Sequence, residues 1–309
     1  MDAIIIIGSG SVFRVGGWCK MNLVFSFDEN YIPTFKVLLH SIYLNNPEEK
    51  INIYILHYEM KESALEDLKL ALLAYNYNFF PINCKDFLEQ TDNIIINRYY
   101  TIEMYLWLFA PYILPKEVER ALYLDPDIIN LNNIQRFYDL DFEDQLFIAM
   151  DYKIKNKIIQ PFNNLRLGTR WAEHYFNAGV VLMNIEKLRQ ERNPDEIAQA
   201  VLKNKALLIL PDQDIFNYLY QGEIKSEEWQ LYNVDPRLYQ LFQFVLPETY
   251  NLDWVEKEVV FIHYAGRNKP WLERENYKMD LGKYYFKYEE QLIKGTKESE
   301  REVLDDKTF

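Results

Sequence analysis

Two aspartates in the sequence are spaced for metal chemistry. Asp125 and Asp127 flank Pro126 directly after the apolar segment 121–124. Carboxylates two residues apart beyond a strand can both face one hard cation, and Mg²⁺ and Mn²⁺ prefer oxygen ligands. A solvated Asp-Pro-Asp turn accounts for the same residues, so both interpretations stay open here. The apolar segment favours the metal interpretation, because a buried strand would deliver its acids to the edge of a sheet.

His263 is a second candidate ligand. It follows the apolar segment 259–262 and precedes Gly266, Arg267 and Lys269. A glycine lets the backbone approach a ligand closely, and the two cations suit phosphate oxygens. A histidine at the end of a strand also serves as an ordinary hydrogen-bonded structural residue. As a ligand beside two carboxylates, its imidazole suits Mn²⁺ better than Mg²⁺.

A third group of polar residues follows Pro211 in the order Asp212, Gln213, Asp214. Apolar residues then recur at helical spacing over 215–219, so Asp212 at this position is typical of a helix cap. The residues themselves leave open whether this group does chemistry or begins a helix.

The elements that must position these groups alternate along the chain. Apolar runs predict strands at 23–27, 51–56, 77–80, 121–124, 178–183 and 259–262. Helical spacing predicts helices at 32–42, 65–73 and 102–109, the last closed by Pro111 and Pro115, and Asn193 and Pro194 predict a helix start. This alternation is typical of an α/β fold with a mostly parallel sheet flanked by helices. Ligands of such sheets bind at the carboxyl ends of the strands, where Asp125 and Asp127 fall.

Composition excludes several classes of partner. The 309 residues carry 34 Lys and Arg against 47 Asp and Glu, a net charge of −13. This charge disfavours nucleic acid and anionic membrane surfaces, since both are bound through cations. The aliphatic run 4–7 is far shorter than the roughly 18 residues of a membrane span. Two cysteines make no disulfide framework, which favours the cytoplasm; the inner face of a membrane is the alternative location.

The chain divides into three predicted parts. Residues 1–20 hold four of the ten glycines and are predicted to be an upstream extension that is not part of the fold. Residues 21–270 form the predicted globular domain, and 271–309 a helical tail of net charge −2. Apolar residues at helical spacing in this tail predict a stripe that packs against the domain.

The motifs in their order resemble those of glycosyltransferase family 8. They are a strand followed by Asp-x-Asp, then Asn177-Ala178-Gly179, then Asp212-Gln213-Asp214, then His-x-x-Gly-x-x-Lys-Pro-Trp from His263 to Trp271. The resemblance runs from about Asn22 to Trp271. It implies a GT-A fold, a nucleotide-sugar donor that is usually UDP-linked, Mn²⁺ (or Mg²⁺), and transfer with retention of anomeric configuration. The predicted acceptor is a saccharide, glycolipid or glycoprotein.

The resemblance also assigns donor-binding residues. Residues of the first strand and loop match those that hold uracil and ribose: Ser26, Phe27, Asp28, Asn30 and Tyr31. A carboxylate and an amide can read the edges of a base, although helix capping explains Asn30 equally well. The Asp125-Pro126-Asp127 segment and His263 match the metal ligands. Gly266 and Lys269 match the diphosphate contacts, and Asn177 and Ala178 match contacts to the sugar.

For the reaction, the resemblance places Gln213 beside the anomeric carbon and an aspartate on the donor sugar. A neutral amide is a poor nucleophile, whereas retaining glycosidases use a carboxylate. We therefore expect a front-face reaction, in which Gln213 positions and stabilises an oxocarbenium-like centre without bonding to it. Asp212 remains a candidate nucleophile.

Departures from the family pattern support alternatives. Trp107 stands where an arginine is expected in the helix before the Asp-x-Asp strand, which suggests a non-catalytic relative that binds nucleotide-sugar. A haloacid-dehalogenase-like phosphatase would also carry an Asp-x-Asp motif, but Ile128 and Ile129 replace its expected following residues. On the acceptor side, Arg166, Arg170 and Trp171 could meet an acceptor or simply face solvent.

Overall fold

The computed structural model describes residues 3–6, 12–15, 21–91, 102–169 and 172–306. The strands are β1 (Ala3–Ile6), β2 (Val12–Val15), β3 (Met21–Ser26), β4 (Ile51–His57), β5 (Asn78–Asn83), β6 (Arg120–Leu124), β7 (Ile128–Asn130), β8 (Phe147–Asp151), β9 (Phe176–Asn184), β10 (Ile224–Glu227) and β11 (Phe261–His263). The helices are α1 (Ile32–Asn45), α2 (Glu62–Leu73), α3 (Lys85–Gln90), α4 (Glu103–Leu106), α5 (Ala110–Ile113), α6 (Gln135–Tyr138), α7 (Lys153–Leu167), α8 (Ile185–Glu191), α9 (Pro194–Asn204), α10 (Pro211–Tyr220), α11 (Trp229–Tyr232), α12 (Pro236–Val245), α13 (Leu252–Glu258) and α14 (Gly282–Asp306). Short 3₁₀ helices cover Glu29–Tyr31 and Trp107–Phe109.

The central sheet of the described residues has seven strands in the order β10-β8-β9-β6-β3-β4-β5. Adjacent strands of this sheet are parallel, except that β9 runs antiparallel to both of its neighbours, β8 and β6. The prediction of a mostly parallel sheet is therefore confirmed. Strands β8 and β10 were not among the predicted elements.

Both faces of the sheet are buried. Val24 and Tyr123 pack into one apolar layer, whereas Leu23, Phe25 and Leu122 pack into the layer on the opposite face. Successive residues of a strand point to opposite faces, so a strand buried on both sides reads as a continuous apolar run. This is why the apolar runs predicted β3 and β6 well.

Three strands bring polar residues to one edge of the sheet. β3 and β6 are parallel and end together at this edge, and the antiparallel β9 begins there, with Val180 opposite Leu124 and Asn177 opposite Met150. The loops that follow β3 and β6 and the first residues of β9 therefore lie side by side.

A separate two-stranded sheet supplies the histidine. The segment predicted as a strand at 259–262 is instead β11 at Phe261–His263, and it pairs antiparallel with β7. In this register His263 lies opposite Ile128, directly after Asp127. Pairing of β7 with β11 thus brings together residues more than 130 positions apart in sequence.

One predicted helix differs in the structure, and one predicted helix start is confirmed. The predicted helix 102–109 consists of α4, the 3₁₀ turn and α5, and Pro111 lies in the first turn of α5 rather than closing a helix. Proline is compatible with a first helical turn because the backbone N–H there has no helical partner. The start at Asn193 is confirmed, where Asn193 and Glu196 form a capping box.

The C-terminal segment packs against the domain. α14 begins at Gly282, later than the predicted start near Trp271, and it contacts α1. The buried stripe comprises Leu281, Tyr284, Tyr285 and Tyr288, and Asn45 donates a hydrogen bond to the Tyr288 hydroxyl at 2.8 Å. The packing predicted for the stripe is confirmed.

Residues 1–20 lie largely outside the described residues. Within them β1 and β2 pair with each other as an antiparallel two-stranded sheet. That this segment is not part of the fold stays a prediction.

Candidate active site

The two aspartates of the Asp-Pro-Asp segment lie between β6 and β7. The Asp125 backbone N–H donates to the Gly179 carbonyl at 2.8 Å, which joins this loop to β9. The Tyr123 hydroxyl donates to Oδ1 of Asp125 at 2.7 Å. The Asp125 side chain is 30% exposed and that of Asp127 only 9%, so these acids belong to a buried site and not to a solvated turn.

His263 faces both carboxylates through one ring nitrogen. Its Nε2 lies 3.5 Å from Oδ2 of Asp125 and 3.2 Å from Oδ1 of Asp127. Nδ1 lies 2.9 Å from the side-chain oxygen of Asn233. One ligand atom from each of Asp125, Asp127 and His263 can be chosen so that all lie within 4.8 Å of one another.

The chemistry of this cluster fits a divalent cation. Oδ1 of Asp127 is buried and has no hydrogen-bond partner among the described residues, although it lies near Nε2 of His263. A buried carboxylate oxygen without a partner is costly. A cation among two carboxylates and an imidazole would satisfy that oxygen, and this mixed oxygen and nitrogen donor set suits Mn²⁺ better than Mg²⁺.

The protonation equilibria of the two carboxylates are pushed apart. Burial, together with repulsion from Asp127, raises the pKa of Asp125. Burial also opposes ionisation of Asp127, but attraction to His263 and Lys269 prevails and holds the pKa of Asp127 well below its usual range. Burial lowers the pKa of His263, but attraction to Asp127 and Asp125 prevails and raises it. Such opposed shifts in one cluster are typical of functional sites.

Lys269 lies against the metal cluster. Its ammonium group is ion-paired with Oδ2 of Asp127 and donates to the Tyr264 carbonyl at 2.8 Å. An ammonium group has three N–H donors, and that of Lys269 also lies 5.4 Å from the centre of the Trp271 ring. Gly266, three residues earlier, is exposed and adopts a φ of 89°, a left-handed conformation that favours glycine.

A cavity of about 340 Å³ lies on one side of the aspartates. Its walls include four of the five residues predicted to bind the nucleoside, Ser26, Phe27, Asp28 and Tyr31, together with the predicted metal-binding segment Asp125-Pro126-Asp127. The Ser26 hydroxyl donates to the Glu103 carbonyl and so joins β3 to α4. We call this space the first cavity.

Asn30 does not line the first cavity. It is exposed, and both its backbone N–H and its side-chain amide donate to Asp28, at 2.9 and 3.2 Å. Asp28 is the residue that caps the short helix Glu29–Tyr31. Capping in this loop is therefore done by Asp28 and not by Asn30, and the predicted nucleoside contact of Asn30 remains a prediction.

A larger cavity of about 550 Å³ lies on the other side. Its walls include the predicted sugar contacts Asn177 and Ala178, the predicted catalytic residues Asp212 and Gln213, the predicted metal ligand His263 and, of the two predicted diphosphate contacts, Gly266. Asp125, Asp127 and Asp212 line both cavities. We call this space the second cavity; the metal cluster lies where the two meet.

Trp107 supports Asp212 from within the core. Trp107 is fully buried, stacks on Tyr123 with ring centroids 4.9 Å apart, and donates its indole N–H to Oδ2 of Asp212 at 3.2 Å. Burial raises the pKa of Asp212 to about 6, and the hydrogen bond from Trp107 opposes this rise. Leu210, not Asp212, occupies the N-cap of α10. Asp212 thus lines both cavities without capping α10.

Gln213 has its side-chain oxygen engaged. Oε1 accepts from the Asn177 side chain at 3.1 Å and from the Ala178 backbone N–H at 3.3 Å. The structure therefore brings three predicted sugar-side residues into one hydrogen-bonded group.

Asp214 organises the wall of the second cavity, and the sequence did not indicate these contacts. It is fully buried and accepts from Arg166 at 2.6 and 2.7 Å, from the Tyr175 hydroxyl at 2.6 Å, and from the backbone of Ile209 and Leu210. Arg166 is thus ion-paired and not free to face solvent. Arg170 and Trp171 lie outside the described residues.

Other residues of the site carried no recognisable sequence signal. Tyr123 belongs to an apolar strand, and Asn233 follows a short helix. Asp235 and Arg237 line the second cavity and are ion-paired at 2.5 Å. Because successive residues of a strand point to opposite faces, the pattern along β6 could have shown that Tyr123 faces the other way from Leu122 and Leu124. No local sequence pattern marks Asn233, Asp235 or Arg237.

Comparison with known families decides the membership of the chain. The family described as Glycosyl transferase family 8 matches residues 22–275. The chain belongs to this family. It follows that the protein is a family 8 glycosyltransferase homologue, and the phosphatase alternative is wrong.

Individual relatives agree with this membership. A "Putative glycosyltransferase" of Haemophilus influenzae is 28% identical over 256 residues, which cover 81% of this chain and 73% of the relative. A "Lipopolysaccharide 1,3-galactosyltransferase" of Salmonella typhimurium is 25% identical, with coverage of 82% and 73%. The structure of galactosyltransferase LgtC with donor and acceptor analogues aligns with a TM-score of 0.70 at 23% identity, covering 88% of this chain and 96% of LgtC. The fold is therefore GT-A.

The described residues include no helix that is both long enough and apolar enough to cross a membrane.

Proposed function

We propose that the protein is a metal-dependent retaining glycosyltransferase that moves a hexose from a UDP-sugar to a hydroxyl of a saccharide or glycoconjugate. The observation that carries this proposal is the place of the Asp125, Asp127 and His263 cluster, at the junction of the two cavities. A donor with its nucleoside in the first cavity and its sugar in the second would have its diphosphate at this cluster.

Asp125, Asp127 and His263 would hold the metal ion, Mn²⁺ in preference to Mg²⁺. When bound, the ion supplies positive charge that stabilises a departing diphosphate. With a bound metal ion, the net charge of −13 is compatible with a diphosphate ligand, because the cation offsets the negative charge of the chain at this site.

The chain also supplies its own diphosphate contacts in this proposal. In this proposal the third N–H of Lys269 donates to a phosphate oxygen, in addition to its contacts with Asp127 and the Tyr264 carbonyl. The exposed Gly266 lines the second cavity and presents backbone without a side chain. Both residues lie on the segment that follows β11, directly after the proposed ligand His263.

The geometry around Gln213 supports a front-face reaction. Its oxygen already accepts two hydrogen bonds and its amide is neutral, so it is poorly suited to bond with the anomeric carbon. In this scheme the acceptor hydroxyl attacks on the face from which the diphosphate leaves, and Gln213 lines the reacting centre. Asp212, which lines both cavities, remains the candidate nucleophile of a double displacement.

A donor screen tests the proposal. The purified chain is incubated with UDP-glucose, UDP-galactose, their N-acetyl forms and a GDP-sugar, each with Mn²⁺ and with EDTA, and nucleotide release is measured. We expect release from at least one UDP-hexose in Mn²⁺ and none in EDTA. Preference for the GDP-sugar would contradict the donor assignment.

Trp107 is the observation that favours a second function, nucleotide-sugar binding without catalysis. Its indole gives Asp212 a hydrogen bond but no positive charge. Calorimetry with UDP and Mn²⁺ beside the donor screen separates the two functions. Tight UDP binding with neither hydrolysis nor transfer for any donor would favour the binding function.

A further inference from the structure

Asn233 lies behind the proposed metal ligand and is completely buried. The backbone around it is fastened to β11, because the Val234 N–H donates to the Phe261 carbonyl and the His263 N–H donates to the Val234 carbonyl, both at 3.0 Å. The Asn233 carbonyl accepts from the Tyr152 hydroxyl at 3.0 Å. The side chain of Asn233 is thus held at a fixed place beside the His263 ring.

Backbone donors determine how the side-chain amides of this region are oriented. The Gly179 N–H donates to Oδ1 of Asn177 at 2.9 Å, and a backbone N–H can only donate. Oδ1 of Asn177 is therefore an acceptor, so the Asn233 atom 2.7 Å from it must be the amide nitrogen. The oxygen of Asn233 then faces His263.

This orientation specifies the tautomer of a neutral His263. Since the Asn233 oxygen accepts, Nδ1 of His263 carries the hydrogen, and Nε2 presents its lone pair to the space between Asp125 and Asp127. At the other end, the Asn177 amide nitrogen donates to Oε1 of Gln213. Four side chains thus form one directional chain of hydrogen bonds from His263 to Gln213.

We propose that Asn233 is a positioning residue that holds His263 in its metal-binding tautomer and, through Asn177, fixes the Gln213 amide on the sugar side. The hydrogen-bond chain stands on the structure alone, whereas its catalytic consequence rests on the proposed function. Neither Asn233 nor its link to Gln213 is part of the predicted site. A partner that orients a ligating histidine typically changes metal affinity roughly 10- to 100-fold when it is removed.

Two substitutions separate the two ends of the chain. Asn233→Leu removes both contacts, so Mn²⁺ affinity measured by calorimetry without donor should fall roughly 10- to 100-fold. Asn233→Asp keeps an acceptor for Nδ1 but loses the donor to Asn177, so it should restore Mn²⁺ affinity while UDP release stays impaired. Asn204→Leu is the matched control, because Asn204 is also buried but bonds within α9; it should bind Mn²⁺ as the unaltered chain does.

Unchanged Mn²⁺ affinity in Asn233→Leu, or equal loss in Asn233→Asp, would overturn the inference. Nitrogen NMR of ¹⁵N-histidine-labelled protein at alkaline pH gives a readout that needs no metal, and the chain has four histidines. We expect a single Nδ1–H tautomer for His263, lost in Asn233→Leu and kept in Asn204→Leu. An Nε2–H tautomer in the unaltered chain would overturn the inference, whereas failure to bind Mn²⁺ with the expected tautomer present would refute the proposed function instead.

Discussion

Gly179 on β9 offers a sharp test of the metal cluster. A methyl group added at this residue would lie 2.7 Å from Nδ1 of His263 and 2.9 Å from Oδ2 of Asp125, and closer still to Cε1 of His263. Comfortable contacts between such atoms are about 3.5–4.0 Å. Gly179→Ala therefore requires the His263 ring to move by roughly 1 Å relative to β9 and also crowds the Asp125 carboxylate.

A displacement of this size is large for a metal site. Ligand distances tolerate about 0.2 Å, so the three ligands could no longer converge on one ion. We expect Mn²⁺ affinity to fall at least as much as on loss of an orienting partner, roughly 10- to 100-fold or more. Overpacking should also cost about 1–3 kcal/mol of the free energy of unfolding.

The assay is calorimetric titration with Mn²⁺ beside urea unfolding. Gly295→Ala in α14 is the control, because its added methyl meets no heavy atom within 4 Å and alanine favours a helix. The control should keep its Mn²⁺ affinity. A Gly179→Ala protein that binds Mn²⁺ within twofold of the unaltered chain would refute the proposed ligand set.

Three further predictions concern the surroundings of the site. Trp107→Phe removes a hydrogen bond that stabilises the Asp212 carboxylate, so the pKa of Asp212 should rise from about 6 by about one unit. The acid limb of the pH profile of UDP release should therefore move to higher pH. An acid limb that does not move would show that Asp212 is not the group that titrates there. Asp214→Ala removes the ion-pair partner of Arg166 and should lower the free energy of unfolding in urea by about 3–5 kcal/mol. A loss below about 1 kcal/mol would contradict the view that Asp214 holds the cavity wall together. Tyr285→Ala in the packed tail should lower the free energy of unfolding in urea by about 3–5 kcal/mol, whereas Ile293→Ala at a half-exposed position should lower it much less. Equal losses in the two variants would show that the stripe does not stabilise the domain.

The sequence predicted the sheet best where burial is two-sided. β3, β4 and β6 read as continuous apolar runs because both of their faces are covered. β10 was missed because it is an edge strand, Ile224–Glu227, with polar residues that pair only with β8. The antiparallel direction of β9 could not be read either, since local periodicity does not encode strand direction.

The site was predicted as separate motifs rather than as an arrangement. Asp125 and Asp127 follow a recognisable strand, but their meeting with His263 depends on β7 pairing with β11 across the chain. The resemblance to the family supplied that link where periodicity could not. Asn233 and Asp214 act through contacts with residues distant in sequence, so no local pattern marks their roles.

Nucleotide release from a UDP-hexose by the unaltered chain and by Asp127→Ala, each with Mn²⁺ and with EDTA, tests the central claim most directly. Asp127 is the ligand with a buried oxygen that lacks a hydrogen-bond partner among the described residues. We predict UDP release by the unaltered chain in Mn²⁺, and none in EDTA or in a folded Asp127→Ala protein. Equal release in EDTA, or by the variant, would contradict a metal-dependent glycosyltransferase.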